Sequence, residues 1–75
     1  MVSLKEFFCN FCSEQDVIKV ETLSSNIPVE GTVFTLREDK VGIDEIRPCG
    51  DIVFVSFADI ASVCNHSTGT KWPES

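Results

Sequence analysis

A chain of 75 residues, 43% hydrophobic and 24% charged, is sized for one domain and is too apolar to remain disordered. Twelve Asp and Glu against six Lys and Arg leave a formal net charge of −6, which opposes direct binding to nucleic acid or to an anionic membrane surface. No apolar run approaches the ~18 residues of a membrane span, and the opening Met-Val-Ser-Leu-Lys-Glu lacks the apolar stretch of a secretory signal, so a cytoplasmic setting is expected.

Residues 3–14 read as a helix. Leu4, Phe7, Phe8 and Phe11 recur at i, i+3, i+4 and i+7 and form one apolar stripe. Ser3 and Glu6 have the spacing of a capping box, in which the hydroxyl accepts from a first-turn N–H and the carboxylate reaches back. Three phenylalanines on one stripe require cover. Packing on the open side of a small barrel is the expected cover, and an exposed aromatic patch for a partner is the alternative. Residues 17–22, Val-Ile-Lys-Val-Glu-Thr, carry the β-branched side chains of a first strand. A loop with Ser-Ser-Asn and Pro28 follows, then a second strand over 30–37, inside which Gly31 marks a bend or bulge. Glu38-Asp39-Lys40 turns the chain into a third strand at 41–46. Residues 47–50 turn it again, with Pro48 preset for a turn and Gly50 free to take positive φ. In the fourth strand, 52–57, Ile-Val-Phe-Val lacks alternation and predicts burial on both faces. Ala58-Asp59 forms a corner before a fifth strand at 60–64. The polar residues 65–75, with Gly69 and Pro73, are expected to be a flexible tail outside a single domain over 1–64.

Three stretches resemble the Sm-like and SH3-like small barrels: Val-Glu-Gly-Thr-Val (29–33), Glu-Asp-Lys-Val-Gly-Ile (38–43) and Asp-Ile-Val-Phe-Val-Ser-Phe-Ala-Asp-Ile-Ala-Ser-Val (51–63). The resemblance covers residues 3–64. It implies a mainly β fold, an N-terminal α-helix followed by a five-stranded antiparallel barrel. It also implies a homo-oligomer joined through the fourth and fifth strands as one alternative. Sm-like rings bind RNA, but the residues that would make those contacts are missing here, and no RNA site is carried over. Such barrels host many unrelated roles, so the resemblance speaks to architecture.

Cys9-Asn-Phe-Cys12 has the spacing of a zinc knuckle, and Cys49 and Cys64, or His66, would complete a ligand set. There is no second pair at that spacing, and Cys9 and Cys12 fall on the predicted helix. The plainer reading is that the cysteines are small hydrophobes in a reducing compartment. Disulfides would need a secreted setting that nothing indicates, and a thioredoxin-type motif would need a βαβ context. A zinc-stabilised interaction domain is therefore the alternative, and no other cofactor is implied. His66 is the only histidine. Its neighbours Ser67 and Thr68 lie in a stretch too loose to hold a nucleophile in place. Asp44 and Glu45, consecutive on a strand, point to opposite faces and cannot act as a catalytic pair. No Gly-rich phosphate loop is present, and an enzyme is not expected. Trp72 is either a disordered side chain or an anchor on the barrel or on a partner.

The remaining signal is acidic. Glu30, Glu38, Asp39, Asp44, Glu45, Asp51 and Asp59 all fall within the strands and turns, diluted by Arg37, Lys40 and Arg47. The plain reading is a solvated surface that keeps a small domain soluble. The sharper reading is a negative face that binds a basic protein and occludes its nucleic-acid-binding groove, with fast, salt-dependent association. In size and charge the chain is similar to small acidic phage inhibitors that mimic DNA, which implies a histone-like, DNA-architectural protein as the class of partner.

Overall fold

The computed structural model describes residues 3–47 and 50–73. Its elements are helix α1 (Leu4–Phe11), strands β1 (Ile18–Thr22), β2 (Val29–Leu36), β3 (Lys40–Arg47) and β4 (Ile52–Ser56), a 3-10 turn Phe57–Asp59, and strands β5 (Ile60–Asn65) and β6 (Lys71–Trp72). Helix α1 begins where the cap predicts. Ser3 is extended and its hydroxyl oxygen accepts from the Glu6 N–H at 3.2 Å. The Glu6 carboxylate returns to the Ser3 hydroxyl at 3.3 Å. The helix ends at Phe11, short of the predicted residue 14, because Cys12 is already extended.

Leu4, Phe7 and Phe8 are buried. Phe8 stacks on Phe57 with centroids 6.0 Å apart, and Phe7 meets Phe8 edge-on at 6.1 Å. Beneath them lie Ile18 and Val20 of β1, Val41 and Ile43 of β3, Val55 of β4, and Ile60 and Val63 of β5. Leu4, Phe7 and Phe8 are thus covered by the sheet, and each buried ring contributes about 1.5–3 kcal/mol, whereas Phe11, the last residue of the predicted stripe, is exposed.

The fold is mainly β, but two expectations are corrected. The strands number six among the described residues, and they form one antiparallel sheet in the order β4-β3-β2-β1-β5-β6. The sixth comes from the stretch expected to be a tail: Lys71 and Trp72 pair with Cys64 and Val63, and Trp72 packs against the core. The sheet is also not a closed barrel. Closure requires the first and last strands in spatial order to hydrogen-bond to each other, and β4 and β6 share no pairing. A related correction concerns β4. Ile52, Phe54 and Ser56 are exposed while Val53 is half-buried and Val55 buried, so β4 alternates as an edge strand with one wet face.

Gly31 is the bulge site that the sequence suggests. The β2–β3 register shifts between Glu30 and Gly31, and a Cβ built at Gly31 would overlap the Asp44 carbonyl oxygen. A second shift falls between Val33 and Thr35. Gly50 takes φ +74°, as the turn reading predicts; Pro48 lies outside the described residues. No helix among the described residues is long and apolar enough to cross a membrane.

Candidate functional site

The seven acids do not share one face. The β3–β4 hairpin and its register divide them into two groups. Glu38 and Asp39 occupy the β2–β3 turn, and Asp59 lies in the 3-10 turn close by, since the Phe57 N–H donates to the Asp39 carbonyl at 2.9 Å. Glu30, Asp44, Glu45 and Asp51 gather at the opposite end. There Glu45 pairs with Gly31, Asp44 faces Ile52, and the Glu45 N–H donates to the Asp51 carbonyl at 3.0 Å. Along β3 the two groups stand about 17 Å apart at ~3.3 Å per residue.

Their partners differ. Glu38 forms an ion pair with Lys5 of α1. The pair raises the Lys5 ammonium and lowers the Glu38 carboxyl from their ordinary values, in both cases chiefly through the shared hydrogen bond. Both groups face solvent, so the pair contributes little to stability. Glu30 lies 3.9 Å from His66 Nε2. Asp59 accepts from the Ser24 hydroxyl at 2.6 Å. Asp39, Asp44 and Glu45 form no ion pair among the described residues. Arg37 and Lys40 instead sit over the Phe54 ring, 5.9 and 5.7 Å from its centroid, where the ring's negative face attracts a cation.

The three described cysteines do not come together as one ligand set. Cys9 is exposed on α1, Cys12 is half-buried where the helix ends, and Cys64 lies on β5. Cys49 lies outside the described residues. Among the described residues no three His, Cys, Asp or Glu side chains are placed to hold one metal ion. Burial pushes the Cys12 thiol up to about 11; a hydrogen bond from Asn65 opposes this and the Asp16 charge adds to it. Such a thiol is protonated at neutral pH and is a poor nucleophile.

Among the described residues His66 hydrogen-bonds to no hydroxyl. The Ser67 hydroxyl is occupied as acceptor of the Val17 N–H at 3.1 Å, and the Thr68 hydroxyl is 2.7 Å from that of Thr70. A shallow groove lies beside these residues, lined by Lys19, Ser62, Cys64, His66, Lys71 and Trp72. The register sets Lys19, Cys64 and Lys71 in one row across β1, β5 and β6.

Two features escape the sequence reading. One is Asn65, fully buried at the end of β5. The other is the apolar outer side of β4. Neither has a local signature: an Asn before a polar stretch reads as a turn, and an unbroken Ile-Val-Phe-Val reads as core. Compared with known proteins, the chain matches no family model, no curated protein and no solved structure.

Proposed function

We propose that this chain is a non-catalytic protein-binding module that acts in the cytoplasm by presenting negative charge to a basic partner, and so occludes that partner's nucleic-acid-binding surface. The observation that carries this reading is the exposed acid left uncompensated on a stiff scaffold. Asp39 and Asp44, both exposed, stand at opposite ends of β3, with the half-buried Glu45 beside Asp44, and none is in an ion pair with a described side chain. A partner's lysines and arginines would supply the missing counter-charge, and the strands hold the acids at fixed spacing without an ordering cost. The order of helix, strands and 3-10 corner between β4 and β5 supports kinship of the scaffold with the Sm-like and SH3-like small barrels, extended here by β6.

The test uses a basic, histone-like DNA-architectural protein bound to a labelled DNA duplex. The chain is expected to displace the duplex, with affinity falling by about tenfold or more as salt rises from roughly 50 mM to roughly 200 mM, because exposed charges are screened over this range. Binding indifferent to salt, or binding that leaves the duplex in place, overturns the reading.

A further inference from the structure

We infer that β4 is an interaction edge whose occupant is β4 of a second copy of this chain, paired antiparallel about a two-fold axis through Phe54. The backbone shows which groups are available. The Glu45 N–H reaches the Asp51 carbonyl, and the Phe57 N–H reaches the Asp39 carbonyl. In the unbroken register from Lys40↔Ser56 to Asp44↔Ile52, Val53 and Val55 therefore also direct their amides and carbonyls at β3. By the alternation of an antiparallel ladder, Ile52, Phe54 and Ser56 direct theirs away from it. No strand lies on that side among the described residues.

This edge carries none of the devices that keep an edge single. Ile-Val-Phe-Val-Ser has no charge, no proline and no glycine, the composition of a strand that recruits another. Its outer side chains are apolar as well: Ile52 is 45% and Phe54 47% exposed. The opposite edge is different. β6 is two residues long and is followed by Pro73, which has no N–H to offer. β6 covers Val63 and Cys64 of the outer edge of β5, which leaves only the short stretch 60–62 beside it, less than the five residues of β4. A head-to-tail contact of β4 with the far edge of another copy thus has too few partner groups, and the complement of matching length is β4 itself.

Charge selects the orientation. On the outer face Asp44 lies beside Ile52 and Lys40 beside Ser56, so the edge is acidic at one end and basic at the other. A two-fold axis through Phe54 sets Phe54 against its own copy and Ile52 against Ser56 of the second copy. Each transverse row then runs from Asp44 of one copy to Lys40 of the other over three strand spacings, about 14 Å between Cα atoms, so that opposite charges face each other across the seam at a range over which they attract in dilute buffer. A parallel arrangement would bring like charges into the same rows. The two phenyl rings meet as a cross-strand aromatic pair, each carrying its own Arg37 and Lys40.

Sedimentation velocity from roughly 10 μM to roughly 1 mM, the range in which an interface of this small class dissociates, is expected to show a monomer–dimer equilibrium. Hydrogen exchange at Ile52, Phe54 and Ser56 slows as concentration rises, while Val53 and Val55 are protected throughout. Phe54→Lys weakens association by at least about tenfold. Lys40→Glu weakens it too, and adding Asp44→Lys to Lys40→Glu restores it. This last pair touches no core residue, so it reads out even if the Phe54 variant fails to fold. A monomer across the whole range overturns the inference. So does a dimer in which the Ile52, Phe54 and Ser56 amides exchange as in the monomer, or a double variant no better than Lys40→Glu.

Discussion

Asn65 sits at the end of β5 with its carboxamide satisfied on every side. Its amide donates to the Phe11 carbonyl at 2.8 Å and to Asp16 Oδ2 at 3.0 Å, and its oxygen accepts from the Ser67 and Thr68 N–H groups at 2.9 and 3.2 Å. One side chain thus ties the end of α1, the entry to β1 and the turn into β6. Asn65→Ala would leave the Phe11 carbonyl and the turn amides short of partners, and a loss of about 1–3 kcal/mol in chemical denaturation is expected. The same contact makes stability depend on acid. The Asn65 amide, and after it the Ser13 N–H, hold the Asp16 carboxyl below its ordinary value. A lowered carboxyl contributes stability that is present above its unfolded pKa, about 3.9, and is lost as pH falls through the lower folded value. Asp16→Asn should therefore destabilise at neutral pH, with the difference from the parent closing in acid, as thermal melts across that interval would record. A difference that stays constant down to strong acid would assign the effect to shape rather than charge. The long-range half of this is not legible in the sequence, because Asp16 and Phe11 are 49 and 54 residues from Asn65, and only the folded chain brings them together.

Elements were legible to the extent that their signals are local. The capping box and the stripe of Leu4, Phe7, Phe8 and Phe11 lie within one helix, so its start and most of its buried face follow from spacing, although Phe11 at the helix end is exposed. Its end does not, because residues 12–14 carry no breaker and the chain leaves the helix to bring Asp16 to Asn65. Strand cores were legible from β-branched runs, whereas edge position was not: whether Ile52 and Phe54 are covered depends on which strand lies beside β4, a property of the whole sheet. The two-residue β6 is too short for any periodicity and exists because it pairs with β5. Gly31 is the case in which a single residue type fixes an element. The groups that a Cβ there would strike are the Asp44 carbonyl and the Glu45 Cα, both backbone, and they cannot move without breaking the β2–β3 ladder. Gly42 is also tight, but its neighbours are the Thr35 methyl and the Phe54 ring, ends of side chains that can swing aside. Gly31→Ala is expected to cost about 1–3 kcal/mol or more, and Gly42→Ala distinctly less. Urea midpoints at unchanged slope measure both, and equal losses at the two positions would remove the bulge from this account.

At the scale of the molecule, the count of charges was legible and their arrangement was not. Composition gives −6, but the register of β3 divides the acids between two ends rather than spreading them on one face. A partner engaging only one end would meet about half of them. The same arrangement bears on the stability of the free chain. The molecule measures 33 × 25 × 22 Å, which is close to the Debye length of roughly 30 Å at 0.01 M ionic strength and several times the ~8 Å at 0.15 M. In dilute buffer each acid therefore feels nearly every other, including those at the far end of β3. In physiological salt it feels only its neighbours. Twelve acids against six bases make the long-range sum repulsive, and repulsion opposes the compact state. The opposing attraction, Lys5 with Glu38, is exposed and is itself weakened by salt. Repulsion wins because it involves many distant pairs and the attraction involves few near ones. Raising salt from about 0.01 M to about 0.15 M should thus raise the melting temperature at neutral pH by several degrees, given that ~1 kcal/mol corresponds to about 4–8 °C in a domain of this size. Sodium chloride and potassium chloride should act alike, which separates screening from specific binding of a cation at either acidic end. A melting temperature that falls with salt would mean that attractive pairs outweigh the repulsion, and the uncompensated acids at the two ends of β3 would then have partners within the chain.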